Sequence, residues 1–194
     1  MSVAAESDDI PLEVPFRGRR NYLHSTTIFD QILRHLADPV DVTFTIRQLI
    51  RQPIALATSL AGRIPVGEFS CIDNGCPREF HICLADGAPA PGRAEDNEQI
   101  IIGASVAENG RLGAIVGNPG TFIETVVALQ KHFVGSCAKP GRKLLFSRLR
   151  ITRMISAGPV FIDRLEIMGN RLFKSHVSGP GDEIGRITFM AADL

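Results

Sequence analysis

Residues 121–133, TFIETVVALQKHF, predict a helix that is apolar on nearly all of its faces. The apolar residues of this helix leave only a narrow polar sector on its surface. They are Phe122, Ile123, Val126, Val127, Ala128 and Leu129. A helix of this kind has to be covered by other elements, because water would otherwise reach its apolar surface. A strongly twisted antiparallel sheet that curls around the helix would bury it.

Strand-like segments flank this helix in the chain. Before it, residues 99–116 predict a hairpin that turns at Asn109-Gly110, the pair that a two-residue type I′ turn prefers. After it come four segments of strand character separated by turn residues: 143–151, 158–168, 171–178 and 185–192. The second half of the chain therefore predicts an α+β unit built on one helix.

The first half repeats this order. A helix capped by Ser25 or Thr26 is predicted to run to about Ala37, and residues 40–86 predict strands because they are rich in β-branched and alternating positions. The segment VTFTIRQLIRQP after the first helix echoes LLFSRLRITRMI after the second. The echo favours an internal duplication, and the alternative is a single α+β domain in which the echo is incidental.

The segment DGAPAPGRAEDNE combines proline, glycine and charge without an apolar period, which predicts a linker. The chain then divides into four parts: an N-terminal arm at 1–20, a first half at 21–86, a linker at 87–97 and a second half at 98–194.

Charge and composition exclude several classes of partner. The 194 residues carry 21 basic and 21 acidic side chains, so the formal net charge is zero and offers no general attraction for nucleic acid or an anionic membrane. No apolar run reaches the roughly 18 residues of a membrane helix, and the acidic start lacks the apolar core of a secretory signal. We therefore expect a cytoplasmic protein with no nucleic-acid or membrane partner.

The cysteines and glycines do not predict a bound metal or cofactor. The cysteines at 71, 76, 83 and 137 lack the paired spacing of a zinc knuckle. The glycines form neither a phosphate-binding loop nor a dinucleotide fingerprint. We expect no metal site and no resident cofactor.

The order of elements in the second half resembles the hot-dog fold, the fold of 3-hydroxyacyl-ACP dehydratases and many acyl-CoA thioesterases. NPGTFIETVVAL is similar to the family's approach to its central helix, where Pro-Gly precedes an apolar run with one acidic residue. The stretch from KLLFSRLRI to GRITFM is similar to the strands that follow that helix, and the first half matches through YLHSTTIFDQIL. The resemblance implies an α+β fold with an antiparallel sheet wrapped around a central helix, as a tandem or double hot dog.

Two residues near helix starts are candidates for acid–base catalysis. Glu124 lies in the first turn of the apolar helix, where burial would raise its pKa toward a useful range and the helix dipole would oppose that rise. His24 precedes the first helix, and an ordinary histidine pKa of about 6.5 suits proton transfer. In the dehydratases the histidine and the acid come from different protomers, so the resemblance implies one composite site of His24 and Glu124. The alternatives are a helix-capping histidine and a carboxylate that complements the dipole.

Asp30 is a third candidate, as the base of a thioesterase-like site. It is the acidic residue of the first predicted helix. The competing interpretation is an ordinary ion pair with Arg34, which follows four residues later.

Other residues are expected to bind the substrate. Tyr22, Asn118 and Gly120 would line the site, and Gly120 would let a substrate carbonyl approach the free N–H groups of the helix start. Arg148 and Arg150 would meet the phosphates of a coenzyme A or phosphopantetheine arm, or else form a solvated strand face. The basic cluster RGRRN at 17–21 predicts a solvated turn or a phosphate contact.

The sequence thus predicts an acyl-thioester-processing enzyme, either a 3-hydroxyacyl dehydratase or a thioesterase. Its substrate would be carried on coenzyme A or on an acyl carrier protein, and a homo-oligomer is expected if a sheet edge stays open. The alternative is a non-catalytic acyl- or polyketide-binding or assembly module on the same fold.

Overall fold

The computed structural model describes residues 9–117, 119–135, 143–169 and 171–192. The helices within these ranges are α1 (Ser25–Leu33), α2 (Glu98–Gly103) and α3 (Phe122–Gly135). The strands of the first half are β1 (Ile10–Leu12), β2 (Pro15–Arg17), β3 (Pro39–Ile46), β4 (Ile54–Ala57), β5 (Gly67–Asp73), β6 (Cys76–Leu84) and β7 (Ala90–Ala94). Those of the second half are β8 (Val106–Glu108), β9 (Arg111–Val116), β10 (Lys143–Ile151), β11 (Gly158–Met168), β12 (Leu172–Ser178) and β13 (Glu183–Ala192).

One antiparallel sheet of 11 strands runs through both halves, in the order β1-β4-β6-β5-β3-β10-β13-β12-β11-β9-β8. The halves meet where β3 pairs with β10, through residues 42–45 and 148–151. The remaining two strands, β2 and β7, form a separate parallel pair. Among the described residues, no helix is both long enough and apolar enough to cross a membrane.

The sheet wraps the helices, as the apolar character of α3 predicts. α3 packs on β9, β11 and β12, α1 packs on β1 and β3, and the two helices touch each other. The buried residues of α3 are Phe122, Ile123, Thr125, Val126, Val127, Ala128, Leu129, Gln130 and Val134. Each half is therefore a helix covered by an antiparallel sheet, the hot-dog arrangement, and the two halves joined edge to edge make a double hot dog.

A row of phenylalanine rings makes the core continuous across the β3–β10 seam. Phe44 of β3 lies 5.3 Å from Phe29 of α1 and 5.2 Å from Phe146 of β10, between ring centroids. Phe146 in turn lies 5.9 Å from Phe189 of β13 in an edge-to-face arrangement. Aromatic pairs of this kind stabilise a core beyond the area that they bury.

The two halves differ in how their last two strands are connected. In the second half β13 lies beside β10 and β12 lies beside β11, whereas in the first half β5 lies beside β3 and β6 lies beside β4. Both halves thus place a two-stranded hairpin between the same two strand positions. The first strand of that hairpin lies next to the seam in the first half, and the second strand lies next to the seam in the second half. Residues 58–66 make this possible, because they carry the chain from β4 across to the β3 side, while β11 turns directly into β12.

Several local predictions are confirmed and others are wrong. Asn109 and Gly110 both have positive φ, 51° and 75°, as a type I′ turn requires. The hairpin, however, begins only at Val106, because residues 98–103 form α2 and bury Ile101. α1 ends at Leu33 instead of Ala37, because i→i−3 bonds tighten the chain and Asp73 Oδ1 accepts the N–H of Ala37 at 3.0 Å.

Two predicted irregular segments contain strands. Residues 10–12 of the predicted arm form β1 at the edge of the sheet, where they pair with β4. Residues 90–94 of the predicted linker form β7, which pairs with β2. β2 ends at Arg17, so this small pair of strands fixes the backbone of that residue next to the helices.

We expect Gly67→Ala to destabilise the fold by about 1–3 kcal/mol, because an added Cβ in a packed interior forces backbone shifts. The new atom would lie 2.6 Å from the backbone oxygen of Thr45 in the neighbouring strand β3. Urea unfolding measures the change. Gly103→Ala is the control, since its Cβ would meet nothing within 4 Å. Equal midpoints for Gly67→Ala and the parent protein would contradict the packing argument.

Candidate active site

Two carboxylates, one from each half, converge where α1 meets the start of α3. Asp30 lies on α1 and Glu124 in the first turn of α3. The Thr121 hydroxyl donates to Asp30 Oδ2 at 3.0 Å, and the Thr121 backbone N–H donates to Glu124 Oε2 at 3.2 Å. Thr121 and Glu124 form a capping box, since the Glu124 N–H also reaches Thr121 Oγ1 at 3.4 Å. Helix capping thereby sets the position of both carboxylates.

Arg17 lies behind this pair and is almost fully buried, with 4% of its side chain exposed. Its Nη1 donates to Thr26 Oγ1 at 2.8 Å and forms an ion pair with Glu124 Oε1. Its Nε lies 3.6 Å from Asp96 Oδ1. The guanidinium therefore joins α1, α3 and the segment before α2.

The environment of Asp30 shifts its acidity into the neutral range. Burial above all, together with the charge of Glu124, raises the pKa of Asp30 to about 7, against the opposing hydrogen bond from Thr121. A carboxyl with a pKa near neutrality exchanges a proton readily at physiological pH, which is the requirement for general acid–base catalysis. The close Asp30 and Glu124 carboxyls thus have unequal surroundings, a pattern typical of catalytic pairs.

A cavity opens onto these carboxylates. We call it the carboxylate cavity and define it by Asp30, Thr121 and Glu124. Its volume is about 930 Å³, and its other walls include Phe29, Leu33, Gly120, Val116 and Met154. The mixture of apolar walls and a few convergent polar groups is typical of ligand sites.

The start of α3 supplies further polar groups to this cavity. The first N–H groups of a helix have no partner within the helix, and they carry partial positive charge. Gly120 precedes them with φ at +145°, and a Cβ there would lie 2.9 Å from Ile101 Cδ1 and 3.0 Å from Glu124 Oε2. Glycine at this position leaves the space that the Glu124 carboxylate and Ile101 occupy.

The structure places His24 in a different pocket from the carboxylates. His24 is the N-cap of α1, is 7% exposed, and lines a pocket of about 60 Å³ with Tyr22, Val127 and Lys131. We call this the histidine pocket. Its ring Nδ1 lies 2.8 Å from Thr26 Oγ1, so Thr26 and Arg17 stand between the His24 ring and Glu124. Burial, with the nearby charges of Lys131, Arg20 and Arg17, holds the pKa of His24 well below its usual range, so the ring is neutral at pH 7.

The two pockets are related by the fold. The histidine pocket lies at the start of α1 against α3, and the carboxylate cavity lies at the start of α3 against α1. When the helices are aligned at their starts, His24 matches Thr121 and Asp30 matches Val127. The two pockets are thus pseudo-symmetric equivalents, and His24 lies in one of them while Asp30 and Glu124 lie in the other.

Three other predicted binding residues, Tyr22, Arg148 and Arg150, lie apart from the carboxylates. Tyr22 lines the histidine pocket. Arg148 and Arg150 are exposed on β10 and alternate with the buried Leu149, so they lie on the outer face of the sheet, away from the helices. Asn118 lies outside the described residues. Asp30 accepts a hydrogen bond from Thr121. The structure describes both Asp30 and Arg34, and no ion pair joins them.

A chain of alternating charges connects the two pockets. Its links are Lys131 to Glu98 at 2.6 Å, Glu98 to Arg20 at 3.3 Å, Arg20 to Asp96, Asp96 to Arg17 at 3.6 Å, and Arg17 to Glu124. Asp96 and Glu98 come from the segment that leads into α2. The connection between the halves therefore supplies the two acidic residues in the middle of this series of ion pairs.

Sequence reasoning missed Thr121 and Arg17. The pattern T-x-x-E at 121–124 is a capping-box signature and would have identified the Thr121–Glu124 contact. No local signal distinguishes the buried Arg17 from its exposed neighbour Arg19, since burial here follows from the long-range pairing of β2 with β7. Within the described ranges, no group of three or more His, Cys, Asp or Glu side chains is arranged to hold a metal ion.

Comparison with solved structures finds proteins of similar architecture. A hot-dog protein of unknown function from Alicyclobacillus acidocaldarius is 6% identical, with 100% of this chain and 96% of that chain covered and a TM-score of 0.46. A monomeric dehydratase domain from a trans-AT polyketide synthase split module is 11% identical, with 97% and 98% covered and a TM-score of 0.45. The dehydratase domain of the CurF module of the curacin polyketide synthase is 6% identical, with 89% and 85% covered and a TM-score of 0.40.

No protein-family model matches the sequence. No curated protein matches it either. The assignment of the double hot-dog fold therefore rests on the strand order and on the wrapped helices of this chain.

Proposed function

We propose that the protein hydrolyses acyl thioesters in the carboxylate cavity, with Asp30 as the general base. The observation that carries the proposal is the meeting of Asp30, with its pKa raised to about 7, and the α3 start in one cavity. An apolar-walled space of about 930 Å³ suits an acyl chain, and a helix start suits the oxygen of a polarised carbonyl.

The reaction follows from these groups. The thioester carbonyl oxygen points at the N–H groups of Phe122 and Ile123 in the first turn of α3, since the capping box engages those of Thr121 and Glu124. The ionised Asp30 takes a proton from a water molecule as the water oxygen attacks the carbonyl carbon. The tetrahedral oxyanion then collapses, the carbon–sulfur bond breaks, and the thiolate leaves with the electron pair. Asp30 returns its proton to the thiolate, so the products are a carboxylic acid and a thiol.

Glu124, Arg17 and Thr121 hold this arrangement in place. Thr121 engages Asp30 Oδ2, which leaves Oδ1 as the oxygen to take the proton from the water. Glu124 caps α3 and is itself fixed by Arg17. We assign positioning roles to these three residues and keep the proton transfer for Asp30.

The proposal is tested by assaying a panel of acyl-CoA and acyl-pantetheine thioesters for thiol release. We expect kcat/KM to rise with pH through about 7 and to level off above it, because the carboxyl of Asp30 must lose its proton before it can act as a base. A rate that falls as pH rises through 7 would contradict this role for Asp30.

Two other outcomes would replace hydrolysis as the function. Loss of water from 3-hydroxyacyl thioesters, abolished in His24→Ala and unaffected in Asp30→Asn, would establish a dehydratase in the histidine pocket. A rise in melting temperature with acyl ligands, but no turnover of any thioester, would establish the binding module.

A further inference from the structure

The histidine pocket is a mostly apolar space with one buried polar residue in its wall. Most of its lining side chains are apolar, among them Leu49, Val127 and Phe146. Its volume of about 60 Å³ has room for about four to six non-hydrogen atoms, since a water-sized group needs about 10–15 Å³ of such space. The buried polar residue is His24, which is 7% exposed. The pocket therefore fits a small, largely apolar group.

Hydrogen bonds on the far side of the ring determine which nitrogen of His24 carries the proton. Arginine can only donate, so Thr26 Oγ1 accepts from Arg17 Nη1 at 2.8 Å. Thr26 is 1% exposed, and within the described ranges its hydroxyl forms hydrogen bonds only with Arg17 and with His24 Nδ1, the latter at 2.8 Å. A buried hydroxyl without an acceptor costs free energy, so Thr26 donates to Nδ1. The neutral ring therefore carries its proton on Nε2.

The other ring nitrogen, Nε2, is a hydrogen-bond donor that remains available to a ligand. It lies on the opposite side of the imidazole from Nδ1, and it forms no hydrogen bond within the part of the chain that the structure describes. Burial, with the charges of Lys131, Arg20 and Arg17, keeps the pKa of His24 well below its ordinary range, so the ring does not gain a second proton at pH 7. The pocket thus offers one directed N–H group in apolar surroundings.

The two cations in the pocket wall, Lys131 and Arg47, are already paired with carboxylates. Lys131 Nζ lies 2.6 Å from Glu98 Oε2, and Arg47 Nη2 lies 2.7 Å from Glu68 Oε1. An anion that entered the pocket would lose its hydration without gaining an unpaired cation, which makes its burial costly. A neutral carbonyl oxygen loses less hydration, and a single N–H group satisfies it. The charges around the pocket therefore favour a neutral ligand.

We infer that the histidine pocket binds a small neutral carbonyl compound, of the size of a short ketone, whose oxygen accepts the Nε2–H of His24. The alkyl groups of the ligand contact the apolar walls, and their removal from water supplies the rest of the binding free energy. His24 binds and orients the ligand, and no covalent bond forms or breaks. The inference goes beyond the proposed hydrolysis and does not depend on it, because Asp30 and Glu124 line the other cavity.

Nitrogen-15 NMR of the full chain with labelled histidine tests the donor. Couplings to the carbon-bound ring protons show which nitrogen is protonated, and the signals that disappear in His24→Gln are those of His24. We expect the proton on Nε2 at pH 7 in the parent and in Thr26→Ser, because serine keeps the hydroxyl that donates to Nδ1. A proton on Nδ1 of the parent would overturn the inference.

Three ligands of equal size test the pocket without any turnover. 2-Butanone has the neutral carbonyl, 2-methyl-1-butene has the same shape with a CH₂ group in place of the oxygen, and propanoate has a carboxylate. We expect 2-butanone to shift the Nε2–H signals of His24 in a saturable way and the other two to bind at least about tenfold more weakly. Equal affinity for the alkene, tighter binding of propanoate, or no saturable binding of 2-butanone would each overturn the inference.

A matched pair of histidine variants locates the binding. His24→Phe keeps an aromatic ring but removes the N–H group, and we expect it to weaken 2-butanone binding at least about tenfold. His132→Phe makes the same exchange at an exposed position of α3 and is expected to change the affinity by less than about twofold. Equal losses in both variants would overturn the site. A thermal melt verifies that each variant is folded, and the two measurements on the parent decide the inference if His24→Phe is not.

The outcome for this site is distinguishable from the outcome for the proposed hydrolysis. If no thioester is hydrolysed, 2-butanone binding at His24 is still expected, because it involves neither carboxylate. Loss of water from a 3-hydroxyacyl thioester that His24→Ala abolishes would overturn the inference, since a ring protonated on Nε2 cannot take a proton there.

Discussion

Replacing Asp30 with asparagine is expected to lower kcat/KM for thioester hydrolysis by about 10²–10⁴-fold, the usual contribution of a general base. Asparagine keeps the shape of the side chain and its contact with Thr121, which donates its hydroxyl to Asp30 Oδ2 at 3.0 Å. It cannot accept the proton from water. The same thiol-release assay measures the loss, and an exposed carboxylate, Asp86, provides the matched control as Asp86→Asn.

The same variant is expected to be more stable than the parent at pH 8 by about 1–3 kcal/mol, allowing for the partial exposure of the carboxyl. The folded-state pKa of Asp30 is about 7, above its ordinary value of 3.8, so the folded protein binds this proton more tightly than the unfolded chain does. The stability that this group contributes is therefore fully present below its ordinary pKa of 3.8. It is lost as the pH rises from there through the folded-state pKa of about 7.

Urea unfolding at two pH values measures this gain. At pH 4 the carboxyl is neutral in the folded state, and Asp30→Asn should differ little from the parent. A variant that is inactive but no more stable than the parent at pH 8 would mean that burial of the ionised Asp30 carboxylate does not destabilise the folded protein. A variant that is fully active would remove Asp30 from the mechanism.

Arg17→Ala is expected to cost about 3–5 kcal/mol of unfolding free energy, the range observed when one partner of a buried ion pair is removed. The side chain is 4% exposed and contacts Thr26, Glu124 and Asp96. Its removal leaves the Glu124 carboxylate, whose side chain is only 12% exposed, without its cation. Urea unfolding gives the size of the loss, and Arg148→Ala on the exposed face of β10 is the control, with an expected change within about 0.5 kcal/mol.

A double-mutant cycle separates the ion pair from general loss of packing. If Arg17 acts on Glu124, Arg17→Ala should cost markedly less when Glu124→Gln is already present, because no uncompensated charge then remains. Additive effects of the two substitutions would contradict a direct coupling. Arg17→Lys should restore part of the stability, since lysine supplies the charge without the planar fork.

Local patterns in the sequence predict much of the second half. The apolar surface of residues 121–133 requires a covering sheet, and the strands at 143–151 and 158–168 have the predicted limits. These features depend on short-range periodicity, which a single sequence displays directly. The positions of Asp30 and Glu124 on two central helices are predicted in the same way.

The pairing of distant residues is what the sequence does not reveal. The exchange of β5 and β6 in the first half depends on where the 58–66 connection crosses the sheet, and no local period encodes a crossing. The sequence offers Arg34, on the same helix, as one candidate partner of Asp30 beside a role as catalytic base, whereas the hydrogen-bond partner of Asp30 is Thr121, 91 residues away. His24 and Glu124 were combined into one site by analogy, whereas the helices direct them to opposite pockets.

The seam between β3 and β10 makes the carboxylate cavity independent of protein concentration. Asp30 and Arg17 come from one side of the seam and Thr121 and Glu124 from the other, yet all four belong to one polypeptide. A site assembled from two separate chains would dissociate on dilution, whereas a covalent connection keeps the effective concentration of the second half fixed. Specific activity should accordingly stay constant over serial dilution of the protein.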